Sequence, residues 1–155
     1  KDMRLVVVGN HTPYTERLRE QIISLDIEDR VDMLSGVADE DMPAIYAAAE
    51  MLLCTSRHEG FSIPIVEAMT VGIPVIAVHG TCHEEAGGEA AIYVSPNDSE
   101  ELADNVQIVL SNPDLRNRMI AMGKERVSRF RPEVTAYNIL NCYKRIGIDL
   151  TELRR

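Results

Sequence analysis

Short apolar runs rich in β-branched residues alternate with stretches of helical periodicity over the first two thirds of the chain. The runs are Leu5–Val8, Val31–Leu34, Met51–Thr55, Pro74–Val78 and Ala91–Val94. Between them the spacing predicts helices over about 14–25, 39–49, 63–71, 82–87 and 99–111. This alternation is the mark of βαβ units around a parallel sheet, an α/β fold. The end signals agree: Asp98 or Ser99 can cap the helix that stops at Asn112-Pro113, and Gly72-Ile73-Pro74 stops the helix over 63–71. Beyond Asn112 only helices follow, over 114–129 and 132–146, with Leu115, Met119 and Met122 and then Val134, Ile139 and Tyr143 at helical spacing. No repeat, low-complexity stretch or long linker divides the chain, so 1–155 reads as one domain.

Composition narrows the class. A chain of 155 residues with 45% hydrophobic and 26% charged residues can bury a core and is typical of a globular protein. No apolar run approaches a membrane span, and Lys1-Asp2-Met3-Arg4 lacks the apolar core of a signal peptide, so a cytoplasmic protein is expected. Cys54, Cys82 and Cys142 are odd in number without CxxC spacing, which fits reduced thiols, with Cys54 in the core of a strand. A formal charge of -9 argues against nucleic acid as a partner, since a phosphate backbone needs a basic surface. A small anionic ligand stays open, because helix termini and backbone amides hold phosphate without net positive charge.

One block carries chemistry: Glu59-Gly-Phe-Ser-Ile-Pro-Ile-Val-Glu67, then Ala68-Met-Thr-Val-Gly72-Ile-Pro-Val-Ile-Ala77. Gly60 lets a ligand approach the main chain closely. Ser62 suits an N-cap and Pro64 the first helical turn, so a helix starts at about Ile63. Its N-terminal end would face the crevice beyond the carboxyl end of the Met51–Thr55 run, the usual ligand position in open α/β sheets. Glu67 is the only charge in that helix. Either it accepts from ligand hydroxyls or it faces solvent, and Glu59 is either functional or a structural cap.

The block resembles the E-x7-E motif of family 4 glycosyltransferases, retaining enzymes of the GT-B fold, with Ser62 in place of a second glycine. Further segments are similar to that family: Leu5-Val-Val-Val-Gly9, Leu34-Ser-Gly36, Asp39 to Ala49 with its L-x-x-x-Y-like Tyr46, and Glu85 to Pro96. The resemblance spans nearly the whole chain. It implies a Rossmann-like three-layer domain with a mostly parallel sheet, the C-terminal, donor-binding half of a GT-B enzyme, ending in two helices.

The resemblance also implies roles. Glu67 would accept from the ribose hydroxyls of a nucleotide-diphosphate sugar, and Glu59 would be the catalytic carboxylate beside the transferred sugar. Backbone N–H groups of Gly60, Phe61, Ser62 and Ile63 would meet the sugar and diphosphate, Val37 would lie along the base, and Gly9 would belong to the donor site. Catalysis would rest on stabilising the leaving diphosphate and an oxocarbenium-like transition state. No metal and no cofactor are expected. The partners implied are the nucleotide-sugar donor, an N-terminal acceptor-binding domain of the same protein, and an acceptor glycan or lipid, with peripheral contact at the inner face of the membrane. The family's C-terminal domain opens with a strand ending in Gly-Arg and a loop with Lys-Gly, whose cations neutralise the diphosphate. Nothing before Leu5 supplies them, nor a first strand central to a 3-2-1-4-5-6 sheet. Either the chain is a piece of a larger enzyme or its sheet closes differently, by pairing with another chain; alone it is expected to bind donor weakly and transfer nothing.

Other clusters point to structure. Asp39-Glu40-Asp41 spells a metal-binding D-x-D but opens a helix, where acids suit the dipole. His79, Cys82, His83, Glu84 and Glu85 follow a strand and lack a second ligand group, which reads as a loop and helix start, with Glu85 either structural or at the cleft. Arg57 is either a surface residue or a substitute for the missing clamp. The rival of a different class is a non-catalytic nucleotide-sugar-binding module; a nucleotide-sugar epimerase and a flavodoxin-like signalling domain lack their expected side chains.

Overall fold

The computed structural model describes residues 3–80 and 82–148; Lys1 and Asp2, part of the signal-peptide argument, lie outside them. The fold has two compact units, Lys1–Ala44 and Ile45–Arg155.

In the first unit, strand β1 (Leu5–Val8) pairs in parallel with β2 (Val31–Leu34), Leu5 opposite Val31 and Val8 opposite Leu34. Helix α1 (Pro13–Ser24) makes the crossover, starting at Thr12, whose N–H donates to Thr15 Oγ1 at 2.9 Å. Arg4 forks onto both oxygens of Asp32 at 2.8 and 2.7 Å. This pair holds the Asp32 carboxyl below its usual range through the hydrogen bond from Arg4. Gly9 continues the ladder, its N–H donating to Leu34 O at 3.0 Å.

Helix α2 (Met42–Ala48) runs across the boundary between the units. It begins three residues later than the sequence pattern suggests, after a turn in which Asp41 N–H donates to Ala38 O at 2.9 Å. Pro43 is the reason, since proline is tolerated in a first helical turn and breaks a later one. Asp39-Glu40-Asp41 therefore forms the turn before the helix.

The second unit is built on a three-stranded parallel sheet, order β3 (Leu52–Cys54), β4 (Val75–Val78), β5 (Ile92–Val94). All four residues of the central strand are buried, as expected of a parallel strand covered on both faces. Ile76, Val78 and Val94 form one apolar cluster with Val109 of α5 (Ser99–Ser111) and Met119 of α6 (Pro113–Val127). Asp98 caps α5 by accepting from Glu101 N–H at 2.8 Å, and Asn112 caps α6 by accepting from Leu115 N–H at 3.0 Å. Helix α7 (Pro132–Arg145) buries no residue fully. The parallel α/β architecture of the sequence reading is present, in two sheets in separate units, with β1 bonded only to β2 and β3 only to β4 among the described residues.

Candidate functional site

Helix α3 (Ile63–Val71) fixes the site because its two faces differ. Ile65, Ala68 and Met69 are buried, while Ile63, Glu67 and Thr70, at i, i+4 and i+7, are exposed. Gly123 of α6 packs closely on this face, and a Cβ there would come within 3.1 Å of the Met69 side chain, which would have to shift to admit it. At its C-terminal end Gly72 takes φ 94 and donates to Ala68 O at 2.9 Å, the left-handed cap that glycine permits. Burial of one face holds the other in a fixed direction.

Glu67 is exposed yet anchored. Tyr46 of α2, 7% exposed, donates its hydroxyl to Glu67 Oε2 at 3.0 Å. Burial first, and then this bond to an anion, raise the Tyr46 phenol far above its ordinary value, so it stays a donor. A carboxylate has about four acceptor positions, and one phenol fills one of them. Tyr46 was a mere motif position in the sequence; the one available signal was a lone hydroxyl among the alanines of α2.

Glu59 sits in the exposed loop between β3 and α3. Its Oε1 accepts from Ser56 Oγ at 2.7 Å, and its carbonyl accepts from the Cys82 thiol at 3.4 Å. Phe61 stacks edge-on against Phe130, centroids 5.1 Å apart, which points its side chain at the turn before α7. Arg57 donates to Asn97 Oδ1, so it is held by the loop after β5.

Ser62 departs from its expected role. It precedes the helix but makes no side-chain cap, and its φ of 66 and ψ of 60 place it in the left-handed region. That conformation costs a residue with a Cβ about 1–2 kcal/mol. Its side chain is buried against Cys54 Sγ, 3.4 Å away. The preceding backbone thus turns sharply into the start of α3, where an α-helix leaves its first N–H groups without intrahelical partners. Gly60, Phe61, Ser62 and Ile63 are the residues of that turn.

The cluster after β4 is divided among separate tasks. His79 Nδ1 is 3.0 Å from Glu84 Oε1, which also accepts from Gly80 N–H at 3.2 Å. Arg126 of α6 binds the carbonyls of Glu85 and Ala86 at the end of α4 (His83–Gly87) and lies 5.2 Å from the Phe130 ring centre. Tyr93 crosses beneath, donating to Gly88 O at 2.9 Å, and a Cβ on Gly87 would collide with that hydroxyl at 2.5 Å. Among the described residues no three ligating side chains gather as for a metal ion. No helix there is long and apolar enough to cross a membrane.

The unit thus carries two exposed, oriented carboxylates on either side of a glycine turn and helix start. Gly9 and Val37 belong to the other unit.

Comparison with known proteins decides the family: the family model "Glycosyl transferases group 1" matches residues 1–126. The chain belongs to this family. It is 33% identical over 117 residues to the O-antigen chain mannosyltransferase B of Escherichia coli, covering 76% of this chain and 31% of that protein. It is 37% identical over 131 residues to the MMP alpha-(1->4)-mannosyltransferase of Mycolicibacterium hassiacum, covering 81% of this chain and 31% of that one. Among solved structures it superposes on Anabaena HepE in complex with UDP with a TM-score of 0.80 and 25% identity, covering 94% of this chain and 41% of the other. The fold is that of the C-terminal domain of GT-B glycosyltransferases, Rossmann-like. The chain spans roughly a third of the length of such group 1 relatives, between 26% and 39% of the first three.

Proposed function

We propose that the chain is the donor-binding part of a retaining glycosyltransferase, which takes a hexose-type sugar from a nucleotide diphosphate for transfer to a glycan or glycolipid acceptor. The observation that carries the reading is the exposed Glu67 carboxylate of α3, held by the Tyr46 hydroxyl. Oriented in this way it suits a ribose diol, whose two hydroxyls donate to a carboxylate. Glu59, across the turn, is assigned to the sugar and the reacting centre. The N–H groups of Gly60, Phe61, Ser62 and Ile63 are assigned to the sugar and diphosphate, where the positive end of the helix dipole favours anions. Gly9 and Val37 are assigned to the donor on the resemblance alone. The UDP complex of the structural relative supports a nucleotide diphosphate as ligand.

The reading needs no metal and no cofactor. It places the acceptor site on an N-terminal domain of the same protein and the reaction in the cytoplasm, at the inner membrane face where the acceptor is a lipid. A second reading, a non-catalytic nucleotide-sugar-binding module, is favoured by one observation: Arg57, the cation nearest Glu59 in sequence, is engaged with Asn97. Titration of the native gene product with UDP and GDP tests the proposal. Binding of one of them, weakened by Glu67→Ala at an unchanged melting midpoint, is the expected result; no binding of either defeats it. Release of nucleotide from the matching sugar donor then separates the enzyme from the module.

A further inference from the structure

A buried hydrogen-bonded chain runs beneath the start of α3, and of the two carboxylates only Glu59 borders it, through Ser56, whose Oγ is 3.7 Å from the Cys54 sulfur. His83 is fully buried, and its Nδ1 lies 3.0 Å from the carbonyl of Val78 at the end of β4. A carbonyl only accepts, so Nδ1 carries the proton. In the neutral ring Nε2 then accepts from the Cys54 thiol, 3.4 Å away at the end of β3. The same sulfur is 3.4 Å from Ser62 Oγ, whose hydroxyl donates to it. The ends of two neighbouring strands are thereby tied to the residue before α3.

That residue is the strained one. Among the described residues only Asp26, Ser62 and Asn97 hold positive φ without being glycine, and Ser62 is the one of these that is buried, at 2% exposure. A left-handed serine persists where its surroundings over-determine it. A hydroxyl fixed on Cys54 Sγ supplies that constraint.

We infer that the His83–Cys54–Ser62 chain is a positioning device: it locks Ser62 in the left-handed conformation and so sets the direction in which the N–H groups of the Gly60–Ile63 turn meet the donor. The inference rests on the donor reading above. Breaking the chain lets the turn relax, and ligand binding must then restore it. His83 and Cys54 act through Ser62 and touch no ligand.

The test is titration of UDP and GDP into the native protein and its variants, with melting recorded in parallel. Cys54→Val, which removes the thiol and keeps the site filled with an apolar side chain one heavy atom larger, is expected to weaken nucleotide binding roughly tenfold, the order of a left-handed penalty. Cys54→Ser, which can again donate to His83 and accept from Ser62, is expected to restore most of that loss. Ser62→Gly, free to be left-handed, is expected to bind about fivefold tighter than Ser62→Ala, which keeps the penalty and loses the bond. The Ser62 pair carries the test if Cys54→Val fails to fold. Wild-type affinity in Cys54→Val, or Ser62→Ala binding as well as Ser62→Gly, overturns the inference. Absence of nucleotide binding in the wild type defeats the donor reading instead. The lock is then judged by melting, where Ser62→Gly above Ser62→Ala supports it and the reverse order overturns it.

Discussion

The two carboxylates of the E-x7-E block are held by different means. Glu67 projects from a helix whose other face is buried, and its partner, Tyr46, stands 21 positions away in sequence on another helix. Glu59 lies on a loop, and the hydroxyl that holds it, Ser56, is three positions away in the same loop. A tie between side chains of two helices restricts a carboxylate more than a tie to a neighbour on its own exposed loop. The first arrangement suits a group that must be in place before the ligand arrives. The second suits a group that adjusts to a reacting sugar.

Substitutions should separate the two. The largest effect is expected from Glu59→Gln in the intact enzyme, lowering release of nucleotide from the sugar donor by roughly 10²–10³-fold while nucleotide affinity moves by less than about threefold. Parallel losses in both would erase the distinction. Glu67→Ala is expected to lower nucleotide affinity by about 10–30-fold, as for lost hydrogen bonds to a charged group, measured by calorimetry. Tyr46→Phe should cost about fivefold in affinity, and nothing further in a Glu67→Ala background, because the phenol acts through that carboxylate. Ser56→Ala, the matching change on the loop, should cost less than about twofold in affinity.

The smallest effect is an alkaline one. Burial and the bond to Glu67 raise the Tyr46 phenol above its ordinary 10.0. A group with a raised folded pKa stabilises the fold below its unfolded value, and this contribution is lost as the pH climbs toward the folded value. Melting temperature should therefore fall above about pH 10 in the wild type and fall less in Tyr46→Phe. Ser56→Ala should leave the slope unchanged.

Much of the fold was legible because it is written locally. The buried Val75–Val78 run, the stop at Gly72 and Pro74, and the caps at Asp98 and Asn112 all act within a few residues, and each strand and α-helix lies within three residues of its expected bounds. Pro43 explains the largest shift, at the start of α2. The carboxylates and the helix start between them were legible for the same reason. What holds them was not. The Tyr46–Glu67 bond and the Cys54–His83 contact, 29 positions apart, exist only once strands and helices are assembled. Ser62 shows the limit most plainly: its residue type suits a cap, but its side chain lies against a sulfur of β3 and its backbone is left-handed. Cys54, expected as plain core, is a junction of three side-chain contacts.

The central claim is that Glu67 reads the ribose of a nucleotide. It is tested most directly by calorimetry with whichever of UDP and GDP binds more tightly and with its 2′,3′-dideoxy analogue, on the wild type and on Glu67→Ala. Removal of the hydroxyls should cost the wild type about tenfold in affinity and the variant almost nothing. An equal loss in both proteins would contradict the claim and place the ribose elsewhere.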